Sequence, residues 1–292
     1  PSTDVARYRA GDLDMTNYGL PPEQFAKLQK ELPGEVYITR TLATYSYELN
    51  NKKAPFDNVN IRKALNLSLD RNVITDKVLG QGQTPTYVFT PTYIEEGHLI
   101  QQPAYSKEPM AQRNEEAIKL LEEAGYNKAN PLKFTILYNT NENHKKVAIA
   151  AASMWKANTK GLIDVKLENQ EWKTYIDSRR AGRYDAARAG WNADYNQATT
   201  FGNYFLSNSS NNTAKYANPE YDKAIAESYV ATDAEGRAKA YAKAEEILAK
   251  DFGIVPIFNY VNPRLVKPYV KGYSGKDPQD HIYLRNLYII KH

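Results

Sequence analysis

The chain has 292 residues, 42% of them hydrophobic, enough to bury a large core and to form more than one structural unit. It contains no cysteine, which excludes disulfides, thiol catalysis and cysteine-ligated metals. The net charge of +4 comes from dispersed Lys and Arg without the basic tract that nucleic-acid binding needs, and no apolar run approaches the ~20 residues of a membrane span.

In chain order, Pro21-Pro22 before Glu23–Leu32 and Pro33-Gly34 after it predict a helix marked at both ends. Glu35–Thr39 and Thr44–Leu49 alternate as strands, with Leu42-Ala43-Thr44 as an ordinary mid-strand segment between them. Ile61, Leu65, Leu69, Val73 and Ile74 recur near helical spacing across Val59–Val78. Asp70-Arg71 predicts a break in that helix, with Asp70 capping its second piece and Gly80-Gln81-Gly82 closing it. The proline-bearing stretch Thr84–Pro109 reads as a long loop, and Asn114–Ala124 as an amphipathic helix stopped by Gly125.

An α/β alternation follows: strand Leu132–Tyr138, helix His144–Ala157, strand Ile163–Leu167, helix Lys173–Arg180 and strand Asp185–Trp191. That order favours a mixed or parallel sheet covered by helices. Residues 219–230 and 234–250 predict two more helices, and Gly253–Tyr260 a strand in which Pro256 marks an edge or a bulge.

Nothing points to catalysis. His98, His144, His281 and His292 are scattered without metal-ligand spacing, and no nucleophile elbow, P-loop or dinucleotide fingerprint occurs. Glu115/Glu116 and Glu122/Glu123 read as a solvated helix face. The 23 tyrosines supply apolar faces with polar tips, the chemistry of a polar recognition groove.

The most informative stretch is Asp185–Asn196. It reads as a short buried strand emerging into a polar corner with Arg188, Trp191 and Asp194; alternation sends Arg188, Gly190 and Asn192 one way and Ala189, Trp191 and Ala193 the other. A glycine there lets another backbone approach closely, and Asp194 beside an aromatic wall suits a cationic ligand group. The alternative is a core strand ending in an Asn/Asp turn.

This stretch, with Gln170–Arg179 before it, Ser207–Thr213 after it and Arg285–His292 at the end, closely resembles the periplasmic oligopeptide-binding proteins of bacterial ABC importers, over essentially the whole chain. The resemblance implies an α/β fold of the periplasmic binding protein type II: a C-terminal lobe with part of lobe I and a two-crossover hinge. Residues 1–42 would be the remainder of lobe I, 43–261 the peptide-binding lobe and 262–292 the return segment. The opening Asp4–Asn17 looks like a segment from well inside the first lobe, so a missing N-terminal portion is expected.

The function implied is capture of short peptides in the periplasm for delivery to membrane permease subunits, without a cofactor or metal. Murein peptides, haem or another non-peptide ligand are alternatives on the same fold, and a peptidase is disfavoured. By resemblance, backbone groups of Gly190 and Asn192 bond the peptide main chain and Asp194 holds its α-ammonium. Arg179, Arg188 and His144 would meet peptide carboxylates; a structural ion pair is the alternative for each. Trp172 and Trp191 would line side-chain pockets or lie in the core, and Asn139, Thr213 and Tyr260 fall in cleft-facing motifs. The chain departs from the family at Ala43 and Asn192, where relatives carry cysteines, at Leu79, where a relative has a basic residue, and at Ser46, which replaces a cleft tyrosine.

Overall fold

A computed structural model describes residues 2–17 and 19–292. Helices α1 (Ser2–Ala10) and α2 (Pro22–Glu31) lead into β1 (Val36–Leu49), and α3 (Val59–Leu67) is followed by a π-helix (Val73–Leu79). After the two-residue β2 (Thr84–Pro85) come α4 (Met110–Glu123), β3 (Leu132–Asn139), α5 (Glu142–Asn158), β4 (Ile163–Gln170), α6 (Trp172–Arg180) and β5 (Ala186–Asn192). A short α7 (Thr199–Gly202), then α8 (Pro219–Val230) and α9 (Ala234–Lys250), precede β6 (Ile254–Leu265) and the two-residue strands β7 (Val270–Lys271) and β8 (Tyr288–Ile289).

The main sheet has the order β2-β6-β1-β5-β3-β4. Pairing is antiparallel from β2 to β5 and parallel between β5, β3 and β4. This is the mixed sheet that the sequence pattern predicts. From Leu42 to Leu49 every residue of β1 is buried, because both faces are covered. Tyr45, Tyr47 and Leu49 enter a core with Ile61, Leu65 and Trp155. On the opposite side, Leu42 joins Phe89, Phe201, Phe205 and residues of α8 and α9. A small separate core holds Val5, Tyr8, Leu20, Phe25, Leu28 and Leu265.

Strands β1 and β6 connect the small core to the large ones. The two strands expected at 35–39 and 44–49 are one continuous strand, interrupted in pairing rather than in path. Its register with β6 runs from Val36↔Leu265 to Arg40↔Val261 and resumes at Thr44↔Asn259, so Thr41–Ala43 stand against Tyr260 alone. Groups without ladder partners are taken up elsewhere: Thr41 Oγ1 donates to the Tyr260 carbonyl (3.1 Å), the Tyr93 hydroxyl to the Thr41 carbonyl (2.6 Å), and the Leu42 N–H to the Pro278 carbonyl (2.7 Å). A second register shift, between Tyr45↔Phe258 and Ser46↔Pro256, leaves Ile257 as the extra residue of a bulge that Pro256 borders.

The break expected near Asp70 is real. Asp70 accepts from the N–H groups of Asn72 (3.0 Å) and Val73 (3.4 Å), and the segment after it is a π-helix closed by Gly80 at φ +64°. Arg71 is fully buried at this break; its Nε donates to the Pro256 carbonyl (2.6 Å), Nη1 to the Asn66 carbonyl (3.1 Å) and Nη2 to Asn66 Oδ1 (3.0 Å). Its guanidinium lies 4.0 Å over the Tyr87 ring. It thereby ties the end of α3 to the bulge of β6. Arg71→Met should cost about 3–5 kcal/mol of stability by stranding these acceptors, read as a lower urea midpoint; a change below 1 kcal/mol would mean water replaces the guanidinium.

Candidate functional site

Strand β5 lies inside the sheet, yet one of its edges is open for most of its length. It pairs with β1 from Ala186 to Asn192 but with β3 only at Ala186 and Ala187. The Ala193 N–H donates to the Leu42 carbonyl (2.8 Å), which points the backbone groups of odd-numbered residues toward β1. By antiparallel alternation, those of Arg188, Gly190 and Asn192 face the open side. The Tyr175 hydroxyl takes the Arg188 carbonyl. The N–H and C=O groups of Gly190 and Asn192 remain for an added strand.

At one end of this edge stands Arg188. Its Nη1 contacts Asn139 Oδ1 at 3.4 Å, its Nη2 bonds the Tyr260 hydroxyl, and the guanidinium lies 5.1 Å from the centre of the Tyr45 ring. Nε is buried without a partner, and no carboxylate neutralises the group among the described residues. Gly190 is needed for room here: a Cβ on it would stand 2.7 Å from Arg188 Nη2 and 3.1 Å from the Tyr260 hydroxyl. The close approach expected at this glycine is therefore filled by the chain's own guanidinium, not by a second backbone.

At the other end, Asp194 is exposed and has no cationic partner among the described residues. Its N–H donates to Thr200 Oγ1 (3.3 Å) and its carbonyl accepts from Gln279 Nε2 (3.2 Å), which fixes the corner, while the carboxylate accepts only a long contact from Thr200 Oγ1 (3.5 Å) among the described residues. Trp191 is half-buried, donating from Nε1 to Thr200 Oγ1 (3.3 Å) and meeting the Tyr204 ring edge-on at 4.9 Å. Trp172 is 58% exposed at the start of α6, 5.8 Å from Tyr175, so its alternative as a core residue is excluded.

Two expected site residues stand behind the cleft rather than in it. Arg179 is buried against Glu48 (2.9 Å) and donates to Thr213 Oγ1 (2.9 Å) and Tyr204 (3.2 Å). Glu48 also accepts from Tyr204 (2.6 Å) and from Thr213. For Arg179 the structural ion pair is what the geometry shows; with its charge compensated by Glu48 and its Nη2 engaged by Glu48, Thr213 and Tyr204, although Nε has no partner among the described residues, neither it nor Thr213 is placed to meet a ligand carboxylate. His144 needs a different correction. Burial, reinforced by the positive charge of Arg188, pushes its pKa down to about 3, so it faces the site as a neutral ring and not as a cation. It sits 5.6 Å from Tyr45.

Beyond Arg188 and His144 lies a cavity of about 650 Å³ between α2 and α5, floored by Tyr45, Leu79, Phe258 and Tyr260. Lys146 on α5 and Glu23 on α2 pair across it at 2.9 Å. Sequence reasoning missed Tyr45, Tyr175, Glu48 and this pair. Tyr45 had a signal in its alternation with Tyr47, whereas pairing between distant helices leaves none.

Residues 1–213 match the family of bacterial extracellular solute-binding proteins, family 5. The chain is 97% identical over its full length to the periplasmic oligopeptide-binding protein OppA of Haemophilus influenzae, covering 54% of that protein, and 44% identical to the periplasmic murein peptide-binding protein MppA of Escherichia coli, covering 53%. It thus spans about half the length of the curated relatives it matches. The crystal structure of Haemophilus influenzae OppA in complex with RPPGFSPFR superposes with a TM-score of 0.93 at 96% identity, covering all of this chain and 57% of that one.

The depressed His144 value sets a pH dependence. A histidine held below its ordinary 6.5 stabilises the fold fully above that pH and loses the contribution as pH falls toward 3. Stability should therefore fall by at most about 1.4 kcal/mol per pH unit from this group across that window. Urea unfolding from pH 7 to 4 should show a shallower loss for His144→Phe than for wild type, and parallel curves would remove His144 as the titrating group.

Proposed function

The chain belongs to the bacterial extracellular solute-binding proteins of family 5, and we propose that it forms the C-terminal lobe and part of lobe I of a receptor that captures short peptides in the periplasm and delivers them to an ABC permease. The observation that carries this reading is the open edge of β5, with an unpaired carboxylate at Asp194, an un-neutralised guanidinium at Arg188 and free main-chain groups at Gly190 and Asn192 between them. A zwitterionic peptide in extended form presents the complementary pattern: an ammonium, a row of alternating N–H and C=O groups, and a carboxylate. Main-chain pairing is indifferent to side-chain identity, so many sequences fit.

Asp194 receives the α-ammonium, Arg188 a carboxylate, and Trp191 walls the first side chain. Asn139 and Tyr260 hold the Arg188 guanidinium in place, and neutral His144 offers a ring rather than a charge. The interrupted pairing at Thr41–Ala43 and Tyr260 is the hinge, dividing residues 1–42 and 262–292 from the lobe formed by 43–261. Closure over the ligand would dehydrate both end charges and strengthen their pairing. The remainder of lobe I, supplied by the rest of the polypeptide, forms the opposite wall.

Asp194→Asn in the full-length polypeptide should weaken peptide binding by about 10- to 100-fold, the worth of a hydrogen bond to a charged group. Titration calorimetry with a free-amino peptide measures this. Wild-type affinity retained within twofold would remove Asp194 as the anchor. Gly190→Ala, which crowds the Arg188 guanidinium, should weaken the same peptide while leaving the unfolding midpoint nearly unchanged.

A further inference from the structure

The corner that carries the Asp194 carboxylate is built from parts of the chain that lie far apart in sequence. On one side the Ala193 N–H donates to the Leu42 carbonyl (2.8 Å) and the Asp194 N–H to Thr200 Oγ1 (3.3 Å). On the other, the Asp194 carbonyl accepts from Gln279 Nε2 at 3.2 Å, and from no other group among the described residues. The carboxylate itself meets only Thr200 Oγ1, at 3.5 Å, too long a contact to hold it in one direction. Its aim is therefore set by the backbone at 193–194, and every bond to that backbone bears on it.

Gln279 differs from an ordinary surface glutamine because its own main chain is fixed. Asp277-Pro278-Gln279-Asp280 has Asp at the first and Pro at the second position of a β-turn, the residues that favour one. The turn is closed by the Asp280 N–H on the Asp277 carbonyl (2.9 Å) and braced by the Gln279 N–H on Asp277 Oδ1 (2.8 Å). Two contacts tie it to the main sheet. The Pro278 carbonyl accepts from the Leu42 N–H (2.7 Å), and the Asp280 carboxylate accepts from Asn262 Nδ2 and from the buried guanidinium of Arg264, both on β6. Leu42 is thus held on its N–H by Pro278 and on its carbonyl by Ala193. The residues that follow these two partners, Gln279 and Asp194, bond each other and complete a ring.

We propose that Gln279 is a positioning residue for the α-ammonium site: by holding the Asp194 carbonyl it aims the Asp194 carboxylate at the N-terminus of the ligand. This rests on the peptide-receptor reading above and deepens it. The turn lies in the return segment and Asp194 in the peptide-binding lobe, so the ammonium anchor is assembled from both sides of the proposed hinge. Without the bond, the Asp194 carbonyl turns to water and the peptide unit after it gains freedom. An incoming ammonium must then order the carboxylate with which it pairs. A ligand lacking the N-terminal charge does not use that carboxylate and does not sense Gln279.

The test uses the full-length polypeptide and one peptide sequence made with a free and with an acetylated N-terminus, both titrated by calorimetry. Wild type should prefer the free amine by about 10- to 100-fold. In Gln279→Met, which keeps the reach of the side chain without its donor, free-amine binding should weaken by about two- to tenfold. The acetylated peptide should bind as it does to wild type, so the preference narrows by that factor. Gln279→Asn keeps the amide and suits a turn but is one methylene too short, and it should narrow the preference in the same way. Equal weakening of both peptides would make Gln279 a general structural contact, and an unchanged preference in Gln279→Met would remove it from the site. Either result overturns the proposal and leaves the receptor reading in place. Wild type that binds neither peptide sinks the receptor reading, wild type that binds both alike sinks the Asp194 anchor, and this inference falls with either.

Discussion

The divergence of β5 from β3 after Ala187 is the constraint on which the site depends. Pairing with β1 continues to Asn192, so the strand stays straight and ordered while its other edge is released. An open strand edge is ordinarily a hazard, because unpaired N–H and C=O groups attract other chains. Here only a few residues are released, and the Tyr175 hydroxyl already occupies the Arg188 carbonyl. What remains is a segment long enough to add one extended ligand and too short to template a sheet.

The two guanidiniums near this edge show how their partners divide compensated charge from uncompensated charge. Arg179 has a carboxylate at 2.9 Å and two hydroxyl neighbours, and Glu48 accepts from all three groups, the guanidinium and both hydroxyls. That pair stiffens the floor beneath Trp191 through Tyr204. Among the described residues Arg188 has only an amide oxygen, a hydroxyl and an aromatic face, none of which cancels its charge. A cation held this way is stabilised enough to remain folded in place and left deficient enough to favour an anion. Lowering the His144 pKa is part of the same economy, since a second cation beside Arg188 would be repelled.

Much of this was legible in the sequence where local rules govern. The alternation of β3, α5, β4, α6 and β5, the caps at Asp70 and Gly80, and the bulge beside Pro256 follow from periodicity and turn chemistry. The π-helical form of Val73–Leu79 was not legible, because helical spacing of apolar residues fits more than one helix type. Arg179 and Arg188, nine residues apart, look alike in sequence. Their difference is that Glu48, on a strand more than a hundred positions away, lies under one and not the other. A glycine at 190 implies room beside the strand, and in the fold the Arg188 guanidinium, brought in by the turn of its own side chain, takes that room.

The proposed hinge and the edge are also one construction. Tyr260 faces the three β1 residues where the β1–β6 register slips, and its hydroxyl bonds Arg188 at the end of the ligand edge. Leu42, inside the same slip, accepts from Ala193 just before Asp194. Both end charges of the proposed ligand are therefore anchored within one or two residues of the proposed hinge segment. A change of hinge angle would move Arg188 and the Asp194 corner against the cavity wall formed by α2, where Glu23 meets Lys146. In the proposed mode, ligand charge and lobe closure are coupled through this shared backbone, and no separate relay is required.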